Sequence, residues 1–131
     1  MNNQTVDAIR NFFAQWNGSE GVRALCVAFY EHMASLPSVR LDFVSRPGIS
    51  HSIRMLAQNG DMTALLDIID DDPANRWISL CFPDSKVTDP EERGDVVPLG
   101  LNGADARCFD IDEASAGMEG YITVRLTEAA A

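Results

Sequence analysis

Apolar residues recur at helical spacing early in the chain and at strand spacing further on. Val6, Ile9, Phe13 and Trp16, with Phe12 beside them, fall on one side of a helix, which predicts a helix over about 6–16. Thr5 is placed to cap its start and Gly18 to stop its end. A second helix is predicted over about 20–35 behind an N-cap at Ser19. There Val22, Leu25, Cys26, Phe29, Met33 and Leu36 make one continuous stripe, and Pro37 terminates it.

The period then shortens to two. Val39, Leu41 and Phe43 alternate with Arg40, Asp42 and Val44. Pro47-Gly48 marks a turn, and Ile49, His51, Ile53 and Met55 alternate with Ser50, Ser52 and Arg54. This predicts a β-hairpin with one apolar face, with a helix as the alternative for its second arm. A second hairpin is expected from the apolar runs 64–70 and 77–82, joined by Asp71-Asp72-Pro73-Ala74-Asn75. The run Trp77-Ile78-Ser79-Leu80-Cys81-Phe82 reads as a central strand. Residues 83–106 hold three prolines, three glycines and many acids, and are expected to form a long acidic loop without strands. Inside it, Asp89-Pro90-Glu91-Glu92 predicts one capped helical turn ending at Gly94. Residues 107–111 read as a further strand. For 113–131, the spacing of Met118, Ile122 and Leu126 and the Glu-Ala-Ala-Ala ending favour a helix over a strand at 121–126. The expected fold is α+β across one domain, 1–131. Two N-terminal helices pack on an antiparallel sheet of about five strands spanning 39–111, with a possible C-terminal helix.

Composition agrees with one globular domain: 131 residues, 46% hydrophobic and 23% charged. No run of 18 apolar residues is present, so no membrane partner is expected. Met1–Asp7 lacks a basic start followed by an apolar stretch, so no secretory signal is expected. The net charge of −10 disfavours nucleic acid. That charge is uneven: residues 1–60 carry +1 and residues 61–131 carry −11. The acidic clusters at 67–72 and 89–95 read as solvated surface, with a weakly held cation or a basic partner as alternatives. Three widely spaced cysteines, Cys26, Cys81 and Cys108, each beside apolar neighbours, predict free buried thiols and a reducing, cytoplasmic setting.

Chemistry-bearing motifs are sparse. There is no phosphate-binding loop, no nucleophile elbow and no metal-ligand spacing, so neither a cofactor nor a metal is expected. His51 is the leading single candidate, because its parity puts an imidazole on the apolar side of a strand. There it is either a general base or a core histidine with a satisfied hydrogen bond. Its neighbours Ser50 and Ser52 point to the opposite face and are no partners for it. Arg40, Asp42, Ser52 and Arg54 share that opposite face, which suits cross-strand charge pairing or a bound anion. His32 falls off the centre of the second helix's stripe.

The function expected from these features is a non-enzymatic binding or interaction domain. It acts as a homodimer or carries a small apolar ligand, because the aromatic load of the helices (Phe12, Phe13, Trp16, Phe29, Tyr30) exceeds one narrow stripe. The ligand-binding residues would be His51, Arg54 and Trp77, around a pocket between helices and sheet. One alternative is an enzyme with His51 as general base, Arg54 or Arg46 orienting an anionic substrate, and 83–106 as a lid. The other is an acidic module docking to a basic protein partner through 61–95.

Overall fold

A computed structural model describes residues 3–113 and 117–131. The elements run α1 (Asn3–Ala14), α2 (Glu20–Ser35), β1 (Arg40–Arg46), β2 (Ser50–Leu56), β3 (Met62–Ile69), β4 (Trp77–Pro83), β5 (Asp95–Leu101), β6 (Ala104–Ile111) and α3 (Met118–Ala130). Single turns of 3-10 helix at Pro73–Asn75 and Asp84–Lys86 flank β4. The fold is α+β, with a C-terminal helix as expected. Of the segment 113–131, residues 114–116 lie outside the described residues.

The strands form one antiparallel sheet in the order β1-β2-β3-β4-β6-β5. The second arm of the first hairpin is therefore strand β2. Its turn carries Gly48 at φ +81°, a conformation that glycine adopts at no steric cost. Six strands are present where about five were expected, because the loop foreseen over 83–106 contains β5. Pro98 and Gly100 argue against a central strand, but β5 is an edge, where a missing N–H costs no ladder bond. The signal that marks it is Asn102-Gly103 between Leu101 and Ala104. Both turn residues have positive φ, as a two-residue hairpin turn of the primed type requires.

The capped helical turn expected at 89–94 does not form either. Glu92 donates its N–H to the Asp89 carbonyl in a single turn. The Asp89 carboxylate instead collects the N–H groups of Arg93 and Gly94, the Tyr121 hydroxyl and the Arg107 guanidinium. Burial alone would raise the Asp89 pKa, but these donors outweigh it and hold the group below its ordinary range. They pin the segment after β4 to α3 and β6.

Away from the register shifts at Met55/Leu56 and Val97/Leu101, alternation assigns each strand residue to one of two faces. Leu41, Ile53, Met55, Leu66, Ile68, Ile78, Leu80, Phe82, Phe109 and Ile111 face one way and are at most 4% exposed. All three helices cover this side through Ile9, Phe13, Val22, Cys26, Phe29, Met33, Ile122 and Leu126. Helix α2 begins as its sequence specifies, with the Val22 N–H donating to Ser19 Oγ at 3.1 Å. Helix α1 ends two residues earlier than its periodicity suggests. Trp16 leaves the helix, donates its indole N–H to the Ser19 carbonyl and stacks on Arg76. The aromatic load of the helices is absorbed within the chain: Phe13, Phe29 and Tyr30 are core, while Phe12 and Trp16 pack beside it.

The cysteine expectation needs correction. Cys81 and Cys108, directly opposite on β4 and β6, are joined by a disulfide. Sequence spacing gave no hint of it, because only the pairing of β4 with β6 brings residues 27 apart to a Cα separation of 4.1 Å. Cys26 is free and buried, and burial pushes its thiol pKa far up. With Cys26 the one free thiol among the described residues, the cysteines do not point to a reducing compartment. Among the described residues, no helix is long and apolar enough to cross a membrane.

Candidate functional site

Two regions gather the polar chemistry of the chain. The first lies where the sheet ends beside the α1–α2 connection. Ser45 at the end of β1 sits opposite His51 at the start of β2. Asp70 follows β3, and Arg76 precedes β4. The backbone holds Asp70 there, since its N–H donates to the Ile49 carbonyl at 2.9 Å. His51, Asp70 and Arg76 are 5%, 4% and 9% exposed, whereas Ser45 is open to solvent.

Arg76 clamps Asp70 with Nε at 2.8 Å and Nη2 at 3.2 Å, and its Nη1 donates to the Asn17 carbonyl. Its guanidinium lies over Trp16, at 4.7 Å, and over Phe12, at 5.4 Å. The Arg76 hydrogen bonds, helped by the His51 bond, hold the Asp70 carboxyl below its usual range despite burial. An ionised Asp70 can only accept, so His51 Nε2 carries the proton it donates at 2.7 Å. Nδ1 is then the lone-pair nitrogen, and Ser45 Oγ donates to it at 2.6 Å. The Phe12 ring lies 4.4 Å from the imidazole and shields it. These residues form a chain from a solvent-facing hydroxyl to a buried ion pair. Arg76 also lines an open cleft of about 380 Å³ with Trp77, Asn75, Ser19 and Glu113.

The second region is the sheet face that no helix covers. Val44, Leu56, Leu65, Ile69 and Trp77 are half-buried there and take no part in the core. Along the β1 edge this face carries Arg40 and Arg46, and on the β6–β5 side Asp110 and Asp95. Arg54 makes a two-pronged contact with Asp42, Nε and Nη2 each at 2.7 Å. Ser52 donates to Asp67. The Cys81–Cys108 disulfide also lies on this face.

The sequence candidates thus separate. His51 lies on the helix side, whereas Arg54 and Trp77 lie on the uncovered side, so the three do not share a pocket. Core side chains fill the space between helices and sheet. Arg46 is exposed on the uncovered face, opposite in parity to His51. The segment 83–106 packs at the β6–β5 side, at the far edge from β1. The acidic cluster at 67–72 is dispersed: Asp67 bonds Ser52, Asp70 bonds Arg76, and Asp72 caps the turn at Pro73–Asn75. Among the described residues, no group of three His, Cys, Asp or Glu side chains converges as a metal ion would require. His32 Nε2 lies 2.8 Å from the Thr127 hydroxyl and ties α2 to α3.

Ser45 and Asp70 are the partners that sequence reading misses for His51. Ser45 is six residues away and Asp70 nineteen, and only strand pairing makes them neighbours. A cross-strand reading of the first hairpin finds Ser45 once the loop is taken as the three residues Pro47-Gly48-Ile49, which sets Ser45 opposite His51; nothing local finds Asp70. No protein-family model, curated protein or solved structure matches this chain.

Proposed function

We propose that this chain is an interaction module that works as a homodimer, joined through the uncovered face of its sheet. The observation that supports this reading is the distribution of side chains on that face. Leu65, Ile69 and Trp77 occupy its middle strands, β3 and β4. Arg40 and Arg46 stand at the β1 edge and Asp110 and Asp95 on the β6–β5 side; among the described residues none of the four forms an ion pair with another side chain.

A two-fold axis running along the strands stacks two such faces in a self-complementary way. It brings β1 of one copy over β5 of the other, and β3 over β4. The β1 edge with Arg40 and Arg46 then lies over the side with Asp110 and Asp95 twice, and Ile69 meets the partner's Trp77 where β3 ends and β4 begins. Six strands roughly 4.8 Å apart, each about seven residues long at 3.3 Å per residue, present on the order of 650 Å² in projection. That is close to the ~800 Å² that one partner contributes to a stable interface. The uneven charge along the chain, +1 over residues 1–60 and −11 over 61–131, supplies this polarity.

Sedimentation or native mass spectrometry of the intact chain tests the reading. A dimer is expected, weakened by salt because its rim is charged. Ile69→Arg places a charge between the paired faces and is expected to give a folded monomer. A wild-type monomer at high micromolar concentration overturns the reading.

A further inference from the structure

The hydroxyl at the end of the buried polar chain has a second consequence. We propose that Ser45 is a nucleophile that takes the acyl group of a small carboxylic ester, with His51 as its base. The geometry is that of an activated serine: hydroxyl to imidazole 2.6 Å, imidazole to carboxylate 2.7 Å, carboxylate to guanidinium 2.8 Å. Each contact fixes the next. Arg76 keeps Asp70 ionised and oriented, and Asp70 fixes the His51 tautomer with the free lone pair on Nδ1. That lone pair points at the one member of the chain that faces solvent. Asp70 and Arg76 are positioning residues; Ser45 and His51 touch the reacting atoms.

Backbone alternation supplies a donor for the developing oxyanion. The Ile49 N–H closes the turn onto the Arg46 carbonyl, and the Asp70 N–H bonds the Ile49 carbonyl. Counting along β2 from there turns the His51 backbone toward β3. The opposed residue Ser45 therefore directs its own N–H away from β2, to the free edge of the sheet. The N–H thus stands at the open edge of the strand whose hydroxyl reaches His51 on the helix face. Ser45 is exposed, which leaves room for a small, unhindered ester.

In the first step, Ser45 Oγ bonds to the carbonyl carbon and its proton passes to His51 Nδ1. The ester C–O bond then breaks, and the departing alkoxide takes that proton and leaves as the alcohol. Water reverses the sequence. It gives a proton to Nδ1, its oxygen bonds to the acyl carbon, and Ser45 Oγ leaves and recovers the proton. The products are an alcohol and a carboxylic acid, and no co-reactant beyond water enters. Ser45 lies on the helix side of the sheet, so pairing of two copies through the other face leaves it open, and failure of either proposal leaves the other standing.

The test is reaction of the intact chain with a fluorophosphonate, read by intact mass and peptide mapping. One adduct per chain is expected, on Ser45. Ser45→Ala is expected to abolish the adduct, and His51→Gln to slow it about 100-fold or more. p-Nitrophenyl acetate should give a burst of one acyl group per chain. Should His51→Gln fail to fold, mapping of the wild-type adduct decides alone. A folded wild-type chain that gives no adduct at Ser45 under excess probe, or adducts scattered over many serines, overturns the proposal.

Discussion

Asp70–Arg76 and Asp42–Arg54 are the same chemical pair at nearly the same distance, 2.8 and 2.7 Å between their closest atoms. Their surroundings differ. The side chains of the first pair are 6% and 8% exposed, those of the second 36% and 41%. The first also holds an imidazole, a backbone carbonyl and two aromatic rings, whereas the second stands on the uncovered sheet face. Water screens an exposed pair and leaves it worth little, while a buried pair that loses one member strands a charge in a poor solvent. What a carboxylate–guanidinium contact does for this molecule is set by the side of the sheet it lies on, not by its geometry.

The largest expected effect tests that contrast directly. Arg76→Ala leaves Asp70 buried without its cation and should cost about 3–5 kcal/mol in urea unfolding. Arg54→Ala, its counterpart on the open face, should cost less than about 1 kcal/mol after screening. Equal losses would end the comparison. Next come two leucines that are neighbours in sequence and opposite in facing. Leu66→Ala opens a cavity in the core and should cost about 2–5 kcal/mol. Leu65→Ala should cost well under that in unfolding of a dilute sample and show its main effect on self-association. A smaller effect follows from pH. Asp70 and Asp89 both have folded-state pKa values below the ordinary one, so each contributes stability that is fully present above about 4, the unfolded value. That contribution is lost as pH falls through the lower folded values. The urea midpoint should therefore hold steady from about pH 7 to 5 and drop below about 4, and Asp70→Asn should flatten part of the drop.

Much of the fold is legible residue by residue. The stripe of α1 as far as Phe13, the stripe of α2, the Ser19 cap and the alternation of Leu41, Phe43, Ile53 and Met55 are local patterns, and each survives in the structure. Strand β5 is less legible. Asn102-Gly103 announces its hairpin, but Pro98, Gly100 and the surrounding acids read as loop, because edge status is a property of the sheet rather than of the segment. The site is hardest to read. The parity of His51 is visible, and its burial follows from it. Its partners are not visible, since Asp70 sits in an acidic run that looks solvated until Arg76 is folded against it.

The sequence by itself determined the two periods, the turns and the class of the fold, because these depend on contacts within a few residues and on which side of an element is apolar. It also set the charge imbalance between the first 60 residues and the rest. Only the tertiary structure decided that Cys81 meets Cys108, that Ser45, His51, Asp70 and Arg76 form one chain of hydrogen bonds, and that all three helices cover the same face. These are outcomes of strand order and register. Both are chosen by the free energy of the whole packed sheet, which no local window of the sequence contains.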